Sequence, residues 1–395
     1  MDYIKLGDVL QKTNTIKWSA VPVKKEFQYI DLSSVDRATH SISETGTITA
    51  DSAPSRAQKI VQTNDVLFGT TRPTLNRLCL LSDQYEGQVC STGLCILRAD
   101  TAKIVPGYLY YLLTTSKFLK YVELTQRGTS YPAVTDKDVK NFMFHLPPVK
   151  EQQQIVSKLD AAFEKIDYAS KLSLENLKKS VLLFRVYADE VFNSLDRSYL
   201  KKLNDVCNGV GYGSSVKSKK VGKVPVIRMG NIQKGRIDWS KLVYSSDDSE
   251  IEKYLLGYND VLFNRTNSPE LVGKSAIYKG ETAAIFAGYL IRIDYDKNLV
   301  DGDYLNYYLN SDIAKRYGSS VMSKSINQAN INGTKLKAYP IPVPELEQQI
   351  VITNKLDKLS GQTNDLIVKY EAKLRLLQEL KQSMLSRSFL ESAVN

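Results

Sequence analysis

The sequence predicts an α+β protein: two mixed α/β globules separated by a long antiparallel two-helix coiled coil, arranged as a pseudo-twofold internal repeat. Three observations lead there. Residues 150–193 contain neither Pro nor Gly, and residues 345–390 contain no Pro and the single glycine Gly361. Short landmarks of the first half return in order in the second half at nearly one shift.

The first rod comes after the proline clamp Leu146-Pro147-Pro148 and carries apolar residues at Ile155, Leu159, Phe163 and Ile166, then Leu174, Leu177, Val181, Phe184, Ala188 and Val191. Steps of three and four draw one apolar seam along a helix about 65 Å long. A helix of that length needs an equally long partner. The second rod supplies it after Pro340-Ile341-Pro342-Val343-Pro344, with Leu356, Leu359, Leu366, Tyr370, Leu374, Leu377, Leu380 and Met384 as its seam. Both rods begin with acidic and Gln-rich turns, which suit the positive end of a helix dipole. Gly361 is the weak point, at a cost of about 1 kcal/mol relative to Ala.

Between the rods the text is loop-rich and β-like. In the first globule, Phe27–Leu32 and Gly46–Ala50 alternate as strands do, and Val89–Arg98 is β-like. Asn64–Gly69 ends a strand in the loop Thr70–Arg77, Pro106–Glu123 is an amphipathic helix, and Arg127–Asp136 is a polar loop. The second globule repeats that grammar. Leu6-Gly7-Asp8-Val9 returns as Leu203-Asn204-Asp205-Val206, and Asn64-Asp65-Val66-Leu67-Phe68 as Asn259-Asp260-Val261-Leu262-Phe263. Tyr108-Leu109-Tyr110-Tyr111 answers Tyr304-Leu305-Asn306-Tyr307, and Lys158-Leu159-Asp160 answers Lys355-Leu356-Asp357. The resulting boundaries are a globule over 1–146, a rod over 147–195, a globule over 196–342 and a rod over 343–395. The frames agree while the loops diverge, which suggests one task performed on two targets.

Composition narrows the task. The net charge of +10 favours an acidic partner, with nucleic acid ahead of a membrane surface because no polybasic amphipathic helix stands out. No signal-peptide core comes after Met1, and no apolar run is long enough to span a bilayer, so an intracellular chain is expected. Cys79, Cys90, Cys95 and Cys207 lack zinc-site spacing, and two histidines, His40 and His145, are too few for a His-built metal centre. Catalytic motifs fail on inspection. Leu146-Pro147-Pro148-Val149 lacks the polar head and the aromatic of an adenine-methylating pocket, and Gly273-Lys274-Ser275 has Ser268 where a phosphate-binding loop needs its first Gly.

Residue type favours DNA reading. Arg72, Asn76 and Arg77 share one loop, and guanidinium and amide groups form two-pronged hydrogen bonds with guanine and adenine. In the second globule Tyr212, Lys217, Lys219 and Lys220 form a basic run suited to phosphates. Arg228, Asn231, Arg265, Asn267, Lys274, Lys324, Asn327, Gln328 and Asn330 are its candidates for positioning and base contact.

Pro148-Val149-Lys150-Glu151-Gln152-Gln153-Gln154-Ile155-Val156-Ser157-Lys158-Leu159, preceded by Gly128-Thr129-Ser130, resembles the specificity subunit of Type I restriction-modification enzymes. Pro344-Glu345-Leu346-Glu347-Gln348-Gln349-Ile350-Val351, preceded by Asn327-Gln328-Ala329-Asn330-Ile331, is similar to the same motif, so the resemblance spans the chain. One departure is a second rod read with an extra residue between Glu347-Gln348 and Lys355-Leu356. The resemblance implies two target-recognition domains, each reading half of a split duplex DNA site, and a DNA-facing loop at Arg127, Thr129, Ser130 and Tyr131. It implies a non-catalytic subunit that binds no cofactor, joined by two modification (methyltransferase) subunits and by ATP-dependent restriction subunits. S-adenosylmethionine, ATP and Mg are expected on those partners, and the setting is a prokaryotic cytoplasm, at the nucleoid through DNA. Three rivals stand beside this reading: the recognition subunit of a bipartite system with a fused nuclease-methyltransferase, a coiled-coil adaptor that binds proteins only, and an enzyme with a hidden site.

Overall fold

The computed structural model describes residues 3–326 and 328–391. It divides into two compact units, Met1–Leu172 with Lys373–Asn395, and Ser173–Ala372. Each unit therefore combines one globule with a length of both long helices, Val149–Asn193 and Leu346–Glu391.

In the first unit the all-apolar run Val66–Gly69 forms the buried middle strand of an antiparallel three-stranded sheet, between Leu94–Leu97 and Leu78–Leu80. Helices Pro106–Thr114 and Ser116–Thr125 share a core with it, through Phe68, Leu109, Leu112, Phe118 and Val122. Pro106 opens the first of these helices, and the Thr115 hydroxyl caps the second by accepting from the Phe118 N–H. A second sheet runs Gly46–Ile48, Phe27–Ile30, Val89–Ser91, Ala57–Ile60, with the middle pair parallel. Tyr3–Lys5 pairs with Met143–His145 immediately before the first long helix starts. Along that helix Leu159 and Phe163 pack with Leu385, Met384 and Phe389, while Asp167 accepts from Lys381 at 2.8 Å, so the two helices run antiparallel here.

The second unit repeats this frame. Val261–Asn264 lies between Leu290–Tyr295 and Ser275–Ile277, with Cys207–Tyr212 as an added edge strand. Helices Gly302–Asn310 and Asp312–Val321 come next, the second capped by the Ser311 hydroxyl, and Leu200–Lys202 pairs with Pro340–Pro342. Ala188 and Phe192 of the first long helix share its core with Ile352 and Leu356 of the second.

Small devices recur at matching places. Asn64 and Asn259 take left-handed backbone, with φ of 67° and 68°, a conformation asparagine tolerates. The next residue in each case carries an arginine: Asp65 is gripped by Arg98 through two 2.8 Å hydrogen bonds, and Asp260 lies 3.3 Å from Arg292. Two glutamines join rod to globule. Gln152 is fully buried; its Oε1 accepts from the Val105 N–H, and its Nε2 donates to the Lys103 and Pro147 carbonyls. Gln349 is equally buried and does the same with Asp301 N–H and the carbonyls of Leu299 and Pro344.

That equivalence corrects the expected insertion. Gln152 matches Gln349 rather than Gln348, so the rods keep one shift of 197 residues from Pro147 and Pro344 through Asp160 and Asp357, with no extra residue. Gly361 lies inside the continuous second helix, with nothing within 4 Å of where a Cβ would stand.

The seam is also re-phased. Every seventh residue of the first helix is buried at Leu159, Ile166, Ser173 and Ser180, and a second row, Phe163, Ser170, Leu177, Phe184 and Val191, is half-buried. Val181, expected in the seam, is 57% exposed, and Leu174 is 46% exposed. The small hydroxyls take the inner positions because they satisfy themselves on their own helix: Ser170 Oγ donates to the Ile166 carbonyl and Ser180 Oγ to that of Asn176, both at 2.8 Å. On the second helix Gln349, Leu356, Thr363, Tyr370, Leu377 and Met384 form one row, with Leu359 and Leu374 half-buried beside it. Leu366 and Leu380, expected there too, face solvent at 37% and 47% exposure.

Three substitutions check this arrangement by urea unfolding. Gln152→Leu strands one N–H and two carbonyls in the interior and is expected to cost about 2–4 kcal/mol, whereas Val181→Ala costs under about 0.5 kcal/mol. Gly361→Ala is expected to raise stability by about 0.5–1 kcal/mol, because the helix admits the methyl group freely.

Candidate nucleic-acid interface

In the first unit the buried strand Val66–Gly69 emerges at Thr70, whose N–H and hydroxyl both donate to the Gly93 carbonyl, at 3.0 and 2.9 Å. The chain then turns through Arg72, at φ 48°, whose N–H donates to the Pro132 carbonyl at 2.6 Å. The facing loop is closed by reciprocal 2.9 Å backbone bonds between Arg127 and Ala133, with Gly128 at φ 95°. These contacts lay the Arg72 guanidinium over the Tyr131 ring, 4.9 Å from its centroid. Arg72, Thr129, Ser130 and Tyr131 are all exposed, Tyr131 by 72%. Arg127 joins the same projection and lies 3.3 Å from Asp138. The backbone and hydroxyl of Thr135 hold the Asp138 carboxyl below the usual range, with a smaller contribution from Arg127.

Two candidates of this loop turn inward. Arg77 donates from Nη1 to the Leu32 and Val35 carbonyls, at 3.0 and 2.6 Å, so it braces the sheet. Asn76 sits at φ 48°, and its Oδ1 is shielded from solvent with no hydrogen-bond partner among the described residues. Its place in the loop is a left-handed backbone position.

In the second unit Tyr212 ends the edge strand, its hydroxyl accepts from the Gly333 N–H at 2.9 Å, and the Arg265 guanidinium lies 4.8 Å from its ring centroid. Arg265 Nε donates to the Gly288 carbonyl at 2.9 Å, the counterpart of the Thr70–Gly93 contact. Strands Ser323–Ser325 and Gln328–Asn330 extend Thr266–Asn267 into a small sheet on which Lys324 and Gln328 are exposed. Asn327 lies outside the described residues. Lys217, Lys219, Lys220 and Arg228 are exposed, and Lys219 pairs its backbone with Tyr244. Lys274 is half-buried, and its carbonyl accepts from the Asn264 N–H.

Three amides expected to contact bases are committed elsewhere. Asn231 is 3% exposed and closes a turn, accepting from Arg228 N–H and donating to the Asp238 carbonyl. Asn330 Nδ2 donates to Thr266 Oγ1 at 2.8 Å, and Asn267 Oδ1 accepts from the Ser268 N–H at 2.9 Å. The Arg–Tyr stacks had no sequence signal, since the partners stand far apart in the chain.

What the surface offers chemically is clear. A guanidinium held over an aromatic ring loses less freedom on binding, and an exposed one such as that of Arg72 can offer its donors to a planar acceptor pair or a phosphate. No group of three or more His, Cys, Asp or Glu suited to a metal occurs among the described residues. Burial pushes the Cys79 and Cys90 thiols up to about 12, which leaves them un-ionised at neutral pH. Among the described residues no helix is long and apolar enough to cross a membrane.

A duplicated α+β body thus carries an arginine set over a tyrosine ring on each copy. Comparison with known proteins names the class: the Type I restriction modification DNA specificity domain matches residues 1–176 and again 199–376. The chain belongs to this family. It is 30% identical over 220 residues to the putative type I restriction enzyme MjaX specificity subunit of Methanocaldococcus jannaschii, a match covering 53% of this chain and 51% of that protein, so it spans about half the length of this relative. It is 23% identical over 321 residues to the StySPI specificity subunit of Salmonella potsdam, covering 76% of this chain and 68% of that one. Among solved structures, the HsdS subunit from Thermoanaerobacter tengcongensis aligns with a TM-score of 0.64 at 27% identity, over 98% of this chain and 96% of that one. A chain from a study of complex assembly and conformational transition of the type I R-M system aligns with a TM-score of 0.84, also at 27% identity, over 98% and 97%. The family's role is recognition of DNA sequence, not catalysis, which sets aside the enzyme and protein-only adaptor readings.

The two arginines of the first loop separate in experiment. Arg72→Ala is expected to weaken specific duplex binding by about 1–3 kcal/mol with unfolding unchanged. Arg77→Ala is expected to lower the unfolding midpoint, because it abandons two carbonyls, and fluorescence anisotropy beside thermal melts reads both.

Proposed function

We propose that the chain is the specificity subunit of a type I restriction-modification complex and reads a bipartite duplex site, one half with residues 1–146 and the other with residues 196–342. The rods over 147–195 and 343–395 act as the ruler that sets the unread spacer. The observation that carries this reading is duplication of the frame with divergence around it: the arginine follows the same central strand in both copies, Arg72 and Arg265, but its ring comes from the Arg127–Ala133 loop as Tyr131 in one and from the edge strand as Tyr212 in the other. Loop phosphate contacts from Lys217, Lys219, Lys220 and Arg127 set register, and Arg72, Lys324 and Gln328 reach bases.

Two modification subunits and the restriction subunits complete the assembly, in a prokaryotic cytoplasm at the nucleoid. S-adenosylmethionine, ATP and Mg belong to those partners. Support for protein partners comes from apolar side chains that the rods leave in solvent, Leu182, Leu183 and Val186 on the first and Val368 and Leu376 on the second.

The ruler is tested with duplexes carrying the cognate half-sites, identified by mapping methylated adenines, at spacers lengthened one base pair at a time. Affinity of the assembled methyltransferase is expected to collapse as the half-sites rotate out of helical phase; indifference to spacer length overturns the reading.

A further inference from the structure

The two copies treat one shared feature differently. In the second unit the Tyr307 hydroxyl donates to Asp357 Oδ1 on the second long helix at 2.5 Å, and a cation of the same unit covers the pair. Arg236 lies with Nη1 3.7 Å from Asp303 and Nη2 3.7 Å from Asp357. It is carried there by a hairpin in which Gln233 pairs with Arg236 across the two-residue turn Lys234-Gly235, and the turn is pinned by Asn306 Nδ2 donating to the Gly235 carbonyl.

In the first unit the Tyr111 hydroxyl donates to Asp160 Oδ1 at the same 2.5 Å. The corresponding hairpin pairs Asp36 with Ser41, so a serine stands at the register position of Arg236. The Ser41 hydroxyl is engaged with that of Thr39. The longer turn ends in His40, which packs on Tyr110 and is kept below its ordinary pKa by burial, and hence uncharged. Glu164 occupies the rod position that Gly361 holds in the other copy, while Gly107 stands where Asp303 does, so each copy sets two carboxylates at this place.

What remains is an open groove of about 740 Å³, with Tyr111 and Phe163 as aromatic walls, Gln153 and Ser157 as polar ones, and Asp160 and Glu164 as its charges. No lysine or arginine lines it. The Lys381 ammonium lies over the Phe163 ring, 4.8 Å from its centroid, and is turned away from the groove's carboxylates to Asp167 at 2.8 Å. An acidic groove on a chain of net charge +10 is no phosphate surface.

We propose that this groove receives an arginine side chain from a partner protein, which supplies in trans the guanidinium that Arg236 supplies in cis in the second unit. The equivalent carboxylate lies 3.7 Å from such a group there, and a guanidinium is the cation suited both to a carboxylate pair and to an aromatic ring. The adjoining depression carries Lys150 and Lys158, so a docking segment with an acidic residue beside its arginine meets matching charges at both places. The inference rests on the reading that the chain assembles with protein partners.

The test uses the full chain and two probes, acetyl-Gly-Arg-Gly-amide and acetyl-Gly-Lys-Gly-amide, titrated by ligand-observed NMR. The arginine peptide is expected to saturate and the lysine peptide to bind several-fold more weakly. Glu164→Gln, at an exposed position, and the double variant Asp160→Asn with Glu164→Gln, which keeps an acceptor for Tyr111, are expected to weaken the arginine peptide progressively, by about tenfold in the double variant. Asp357→Asn leaves binding unchanged. Equal binding of the two peptides, undiminished binding to the double variant, loss of binding in Asp357→Asn, or no saturation by the arginine peptide overturns the groove. Gel filtration with modification subunits is scored separately, so assembly can stand when the groove fails.

Discussion

Each unit depends on a buried glutamine that ties the start of a long helix to its globule. Gln152 and Gln349 each replace three missing backbone partners, at the point where a loop before a short helix meets a proline-bounded helix start. Unpaired backbone groups in an interior are costly, so the helix can leave the globule in one direction only. A tyrosine one helical turn into each neighbouring helix, Tyr111 or Tyr307, then fastens the rod a second time through Asp160 or Asp357. Burial, then that hydrogen bond, holds both phenols well above their usual range, so the clamp stays protonated throughout the neutral range.

On this fixed mount the loops are free to differ. The strand ends at Thr70 and Arg265 are anchored to the same glycine carbonyl position, Gly93 and Gly288, although the sequences part just before it, at Gly69 and Asn264. Keeping the anchor while varying the residues beyond it lets recognition change without disturbing the core.

Much of the frame was legible in the sequence because it is written twice: repeated landmarks carry far more information than any single motif. The two rods were equally plain, from long stretches without Pro and with the single glycine Gly361. Their inner face was not, because Val181 and Leu366 advertise hydrophobicity while the buried places at Ser180 and Thr363 hold hydroxyls bonded back to their own helix. The expected insertion arose because a run of glutamines offers no chemical landmark until one of them is seen to be buried. Among the loop candidates, side-chain type alone did not separate Arg72, which is free to reach outward, from Arg77, which holds two carbonyls of the body. That distinction lies in tertiary contacts.

The division of the chain also has a consequence for synthesis. The second unit is contiguous, Ser173–Ala372, whereas the first needs Lys373 onward to complete its packing around Leu159 and Tyr108, where Leu385 and Phe389 close the cluster. A ribosome delivers the sheet and helices of the first globule early but withholds their last covering helix until the whole second unit has been made. The first globule is thus finished after the second, and its uncovered apolar face is the stretch a nascent-chain chaperone would have to shield.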